Sequence, residues 1–180
     1  MRRLLPLVLL LAGCLAKHQP VQADRPALVA SAAALAALDR PELEPVPPEL
    51  SSAVAAELGA RGLRDRPLDP ATFLADWASR RATPHRLAFL AGQAPDAELL
   101  LLVECTVAFY SEMNGRYRWT VEVDATISPR EDLTQAFSAH FQVPVFLDHY
   151  REREREALQA ATPMVERRLG ALLDAYLGGL

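Results

Sequence analysis

Cysteine is scarce in this chain. Two in 180 residues allow one disulfide at most, so stability has to come from a packed interior. Glycine is thin too: the eight glycines are scattered, which leaves no loop able to cradle a phosphate. Gly-x-Ser-x-Gly is absent, so Ser111 has no nucleophile-elbow context. The four histidines, His18, His85, His140 and His149, include no pair at the three- or four-residue spacing of a helical metal site. Basic residues do not dominate. Nineteen Lys and Arg against 23 Asp and Glu argue against nucleic acid as a partner and against a polybasic hold on anionic lipid. What is plentiful is apolar surface, at 51% of residues, enough to build a real core.

The first residues have a separate logic. Arg2 and Arg3 give a positive start, and residues 4–11 give an apolar run interrupted only by Pro6. That run is too short to cross a bilayer and reads as a signal peptide. It ends in Leu11-Ala12-Gly13-Cys14, which resembles the lipobox of bacterial lipoproteins. The resemblance implies cleavage after residue 13 and acylation of Cys14, leaving Cys105 without an intramolecular partner. Cleavage would remove two basic side chains and no acidic one. Leu15 in place of Asp after the lipidated cysteine implies the periplasmic face of the outer membrane.

Residues 14–48 are expected to form the lipidated terminus and a tether. Gln19-Pro20, Arg25-Pro26, Arg40-Pro41 and Glu44-Pro45-Val46-Pro47-Pro48 punctuate them, and proline-rich segments of this kind are stiff, extended spacers. Between the prolines, residues 27–38 have the alanine content of a short helix. A helix and loop packed on the domain is the other physical reading.

The pattern turns globular over residues 49–180, read as one domain. Leu50, Val54 and Leu58 lie at helical spacing, with Ser51 or Ser52 as a cap and Gly59 and Gly62 as stops. Asp69-Pro70 and Thr83-Pro84 each set a cap residue before a proline, opening two more helices. The run Leu99-Leu100-Leu101-Leu102-Val103 predicts a strand buried on both faces. Asn114-Gly115 predicts a tight hairpin turn. After it Tyr117, Trp119, Val121, Val123, Ala125 and Ile127 alternate with Arg116, Arg118, Thr120, Glu122, Asp124 and Thr126, giving one packed and one wet face. A third strand runs through Phe137, Ala139, Phe141 and Val143 and ends at Pro144. Asp148 can cap a charged helical segment over residues 151–156, which alternates sign and reads as a solvated face. Thr162-Pro163 either kinks that helix or starts another, whose stripe is Val165, Leu169, Leu172, Leu173 and Tyr176. The expected fold is α/β: a small, mainly antiparallel sheet of about three to four strands, helices packed on one face, and a C-terminal helix.

Three stretches carry a second resemblance: Ala97-Glu98-Leu99-Leu100-Leu101-Leu102-Val103-Glu104, Gly115-Arg116-Tyr117-Arg118-Trp119, and Glu156-Ala157-Leu158 through Leu173. In this order they are similar to a group of small α/β envelope lipoproteins. That group includes the curli-secretion lipoprotein and the lipoproteins that activate penicillin-binding proteins. The longer insertions from which a pore-forming member builds its barrel are missing, so secretion is not implied.

No residue set points to catalysis, to a cofactor or to a resident metal. Cys105 lies mid-strand, where a thiol is an inert small hydrophobe. For a zinc site of His140, His149 and Asp148, nothing in the pattern fixes the three in one place. The mixed-charge strand face of Arg116, Arg118, Glu122 and Asp124, joined by Tyr110, is either ordinary solvated surface or a protein-binding surface. The expected function is a membrane-anchored accessory or assembly module with an envelope protein as partner, and no enzyme. The first alternative is a lipid carrier, which requires an open apolar groove lined by residues such as Leu100, Trp119 and Phe141; the second, ranked below it, is an enzyme whose site no motif reveals.

Overall fold

A strand of five consecutive large apolar residues needs cover on both sides, and the chain supplies it. The computed structural model describes residues 27–37, 43–77, 82–148 and 153–179. Strand β1 (Leu28–Ala37) and the two-residue β2 (Leu43–Glu44) lead into helix α1 (Pro48–Ala60). A short β3 (Arg64–Pro67) and helices α2 (Pro70–Trp77) and α3 (Thr83–Gln93) follow. The long hairpin β4 (Leu99–Met113) and β5 (Arg116–Pro129), the last strand β6 (Phe137–Leu147) and helix α4 (Glu154–Gly178) complete the order. The six strands form one sheet in the order β2-β1-β4-β5-β6, with β3 beside β1. β1 runs parallel to β3 and β4, and the other pairings are antiparallel.

The class is α/β, as expected, with more strands and with helices on both faces. On one face Leu50, Val54 and Leu58 of α1 and Leu158, Val165, Leu169 and Leu173 of α4 pack against Leu101, Val103, Val121, Val123 and Ile127. On the other, Phe73 of α2 and Leu87 and Leu90 of α3 pack against Leu100, Leu102, Ala30, Ala32 and Ala34. Pairing between β4 and β5 puts Val103 opposite Ala125 and Leu101 opposite Ile127, so the two-residue period of both strands serves one core. At the turn, Asn114 and Gly115 both have positive φ, 54° and 76°, as a primed hairpin turn requires.

Several local expectations give way to longer-range forces. Residues 27–38, read as an alanine-rich helix in a tether, instead contain β1 (Leu28–Ala37). Parallel pairing with β4 and burial of the small alanines under α2 and α3 outweigh alanine's helical preference. The folded body therefore includes residues 28–37, and a tether over the whole of 14–48 does not hold. Ser51 and Ser52 are not caps, because α1 already starts at Pro48 after the prolines. Asp69 does cap α2, accepting from the Thr72 N–H at 3.2 Å and its hydroxyl at 3.0 Å. Thr83 does not cap α3; the preceding residue is Ala82, and the Thr83 hydroxyl reaches the Glu104 carboxylate at 3.5 Å. β6 continues through Pro144 to Leu147, because it lies at the edge of the sheet and a proline there needs no outer ladder bond. Asp148 pairs with Arg116 at 3.1 Å. Helix α4 begins at Glu154 with the Glu156 carboxylate accepting the Arg153 N–H at 3.0 Å, while residues 149–152 lie outside the described set. Thr162-Pro163 neither ends nor restarts α4, which runs unbroken, the Thr162 hydroxyl donating to the Leu158 carbonyl at 3.0 Å.

Helices α1 and α4 are fastened by Arg61. Its guanidinium donates to Asp174 through Nε and Nη2 at 2.8 and 2.9 Å, to the Glu57 carboxylate at 2.6 Å, and to the Gly170 carbonyl at 2.9 Å. The bond from Arg61 holds the Asp174 carboxyl below its usual range. Gly170 makes room for this cluster: a Cβ there would stand 2.5 Å from Glu57 Oε2 and 3.0 Å from Arg61 Nη2. The atoms it would meet are the ends of flexible side chains that can shift, so Gly170→Ala is expected to gain less than the ~1 kcal/mol usual for glycine to alanine inside a helix. In an Arg61→Ala, Glu57→Ala background the same change is expected to raise the urea midpoint by more, and equal effects in both backgrounds would refute the steric account.

Candidate functional site

Helices α2 and α3 cover only part of their face. Past Leu102 the side chains on that side of β4, β5 and β6 turn polar, and most lie open to solvent. Register lines them up in rows. Leu102, Thr126 and Ser138 form the first, with the Thr126 and Ser138 hydroxyls 2.9 Å apart. Glu104, Asp124 and His140 form the next, and Thr106, Glu122 and Gln142 the one after. His140 Nδ1 lies 2.9 Å from Asp124 Oδ1, and the Gln142 amide donates to Glu122 Oε1 at 2.7 Å. At the α3 border Arg86 pairs with Glu104, and burial lowers the pKa of the arginine. The pair thus closes the apolar side of the face and leaves Glu122 and Asp124 as its open carboxylates.

The hairpin end of this face has a different character. A bulge between Phe109 and Ser111 inserts Tyr110 as an extra residue, 65% exposed. The Arg118 guanidinium lies over its ring, 4.5 Å from the centroid. Phe146, opposite Arg118 in register, is 46% exposed. Arg118 Nε is buried and, among the described residues, has no hydrogen-bond acceptor. Tyrosine and arginine are among the residues that dominate binding energy at protein interfaces, and phenylalanine is enriched there.

No protein-family model matches the sequence, and no curated protein matches it. Solved structures do. The chain is similar to lipoprotein GNA1162 from Neisseria meningitidis at 12% identity, covering 81% of this chain and 99% of that one, with a TM-score of 0.39. It is similar to rare lipoprotein B from Shewanella oneidensis at 12% identity, covering 82% and 95%, with a TM-score of 0.37. A third is the PelC dodecamer from Paraburkholderia phytofirmans, at 17% identity, 83% and 94% coverage and a TM-score of 0.42. Two of these three are lipoproteins by name. No helix among the described residues is long and apolar enough to cross a membrane.

The residues singled out from sequence separate on this frame. Arg116, Arg118, Glu122 and Asp124 share one face of β5, as the alternation implied, and Tyr110 joins them through Arg118 by way of the bulge in β4. His140, Gln142 and Phe146 extend the surface across β6. Phe146 lies beyond Pro144, where the sequence pattern ends the strand, and Gln142 is an ordinary polar residue of that strand that only the β5–β6 register places beside Glu122. Cys105 is fully buried on the packed face, where burial, with the charge of Asp124 behind it, pushes the thiol up to about 12. It is protonated at physiological pH, the inert state expected of it. Cys14, His18 and His149 lie outside the described residues. Among the described residues no three of His, Cys, Asp and Glu gather as metal ligands. Leu100, Trp119 and Phe141 do not share a groove: Leu100 is buried under α2 and α3, while Trp119 and Phe141 pack toward the other core.

Proposed function

We propose that this protein is a lipid-anchored binding module of the bacterial envelope, acylated at Cys14, held at the periplasmic face of the outer membrane, and docking a partner protein on the open face of β4, β5 and β6. Binding is its work in this reading, and catalysis is not. The observation that carries the proposal is the hairpin end of the face. An exposed Tyr110 is stacked on Arg118, whose Nε has no acceptor among the described residues, and an exposed Phe146 lies opposite Arg118 in register. Fold stability gains little from displaying two large aromatic rings to water. The carboxylates of Glu122 and Asp124 beside them add polarity and set orientation, as rim groups do.

A photo-reactive residue placed at Gln142 in the full-length protein, in cells, is expected to give one reproducible protein adduct. The same residue at Arg167, on the exposed side of α4, is expected to give none. Tyr110→Ala with Arg118→Ala should cut the Gln142 adduct by about tenfold or more, the size expected for removing an interface anchor. Equal labelling at both positions, or an adduct indifferent to the double substitution, would sink the docking face.

A further inference from the structure

At the far edge of the sheet from β6 the strand ladder is interrupted. β3 pairs with residues 28–31 of β1 and β2 with Leu35 and Ala36, so residues 32–34 have no strand partner on that edge among the described residues. The last bond before the interruption runs from the Leu68 N–H to the Ser31 carbonyl at 2.7 Å. Alternate residues of a strand direct their backbone groups to the same edge, so Ala33 presents its N–H and C=O to the gap. The gap opens into a cleft of about 300 Å³, lined among others by Ser31, Ala33, Ser51, Ser52, Asp65 and Leu68.

Among the described residues, Asp65 is the single ionisable side chain lining this cleft. It accepts from the Ser31 hydroxyl at 2.6 Å and has no cation beside it among the described residues. The adjacent Arg66 is engaged with Asp96. Burial pushes the Asp65 carboxyl up, and the Ser31 hydroxyl and the Arg66 N–H only partly offset this. The Ser31 bond ties β3 to β1, but the fold does not need a charge for that. An asparagine oxygen would accept the same hydroxyl without the cost of half-burying a carboxylate that no described cation faces. The charge is therefore surplus to the fold and complementary to a cation that enters the cleft.

We propose that this cleft binds the ammonium end of a small amine on an apolar stem, with Asp65 taking the charge and the Ser51 and Ser52 hydroxyls and the Ala33 carbonyl available for the remaining N–H donors. About 300 Å³ is at the small end of ligand sites, which limits the occupant to a simple alkylamine or the first residues of a polypeptide. Both sources share the ammonium, and the titration separates them. The full-length protein is titrated by calorimetry with n-butylamine, with alanyl-alanine amide, and with N-acetyl-alanyl-alanine amide. Saturable binding of either free amine, with none of the acetylated compound, supports the site; the stronger free amine names the source. Asp65→Asn is expected to weaken that binding by about tenfold or more, the usual cost of losing a charge-assisted bond. The variant keeps the acceptor for Ser31 and is expected to melt at neutral pH no lower than wild type. No saturable binding of either free amine, or equal affinity for the acetylated compound, would overturn the proposal. So would an Asp65→Asn protein that binds undiminished. A folded variant that melts lower than wild type would show instead that the charge serves the fold.

Discussion

Leu101→Ala and Leu102→Ala will each lower the free energy of unfolding by about 2–5 kcal/mol, while Thr106→Ala, four residues on from Leu102 on the same face, will stay within about 0.5 kcal/mol. Adjacent residues of a strand point to opposite faces, so in a sheet covered on one side only, Leu101 and Leu102 could not both be costly. Here both are fully buried. Leu101 sits in the core under α1 and α4, and Leu102 in the separate core that Phe73, Leu87 and Leu90 build from α2 and α3. Each truncation removes the transfer energy of a buried isobutyl group and leaves a cavity that neither helical layer can collapse onto. At Thr106 the second layer has ended and the neighbour in register is Glu122. Urea denaturation of the three variants measures the difference directly. A mild Leu102→Ala would mean that α2 and α3 do not pack on the sheet as described.

The same boundary decides what could be read from sequence. β4 and β5 were legible because their signals are local. Five large apolar residues in a row have few other uses, Asn-Gly tolerates the positive φ of the turn, and the alternation after it survives unbroken to Ile127. β1 was illegible for the opposite reason. Its residues 30–37 are seven alanine or serine positions and one leucine, and nothing near them argues for extension. The decision comes from Leu99 and its successors, far along the chain, which offer a parallel partner, and from helices that need small residues beneath them. Local propensity had the wrong answer because it had no access to the pairing.

The docking face was half legible. Period-two alternation placed Arg118, Glu122 and Asp124 on one side of β5 without any structure. It could not show that Tyr110 reaches Arg118, since that depends on a bulge in β4, nor that Phe146 lies opposite Arg118 in register. Reading Pro144 as a stop assumed an interior strand, whereas β6 lies at the edge. The Asp65 cleft was wholly illegible. Ser31 and Asp65 look unremarkable apart, and only the β1–β3 pairing brings them to 2.6 Å.

Cys14→Ser is expected to move the protein from the membrane fraction to the soluble fraction of the envelope, an all-or-none change. Serine keeps the size of the side chain and removes the thiol on which the proposed acylation depends. Each buried methylene of an acyl chain contributes about 0.8 kcal/mol, so one chain binds reversibly and two or more hold durably. No described helix can cross a bilayer, and the net charge of −4 gives no general attraction to anionic lipid. Fractionation of cells expressing each form measures the shift, and a Cys14→Ser protein that still sediments with membranes would refute the anchor. Combined with the Gln142 crosslink, the variant also separates anchoring from binding. If tethering serves to raise the local concentration of the docking face near its partner, the released protein should lose most of its adduct and recover it on overexpression. If the adduct persists at native levels, the face binds tightly enough alone, and the lipid serves only to localise the protein.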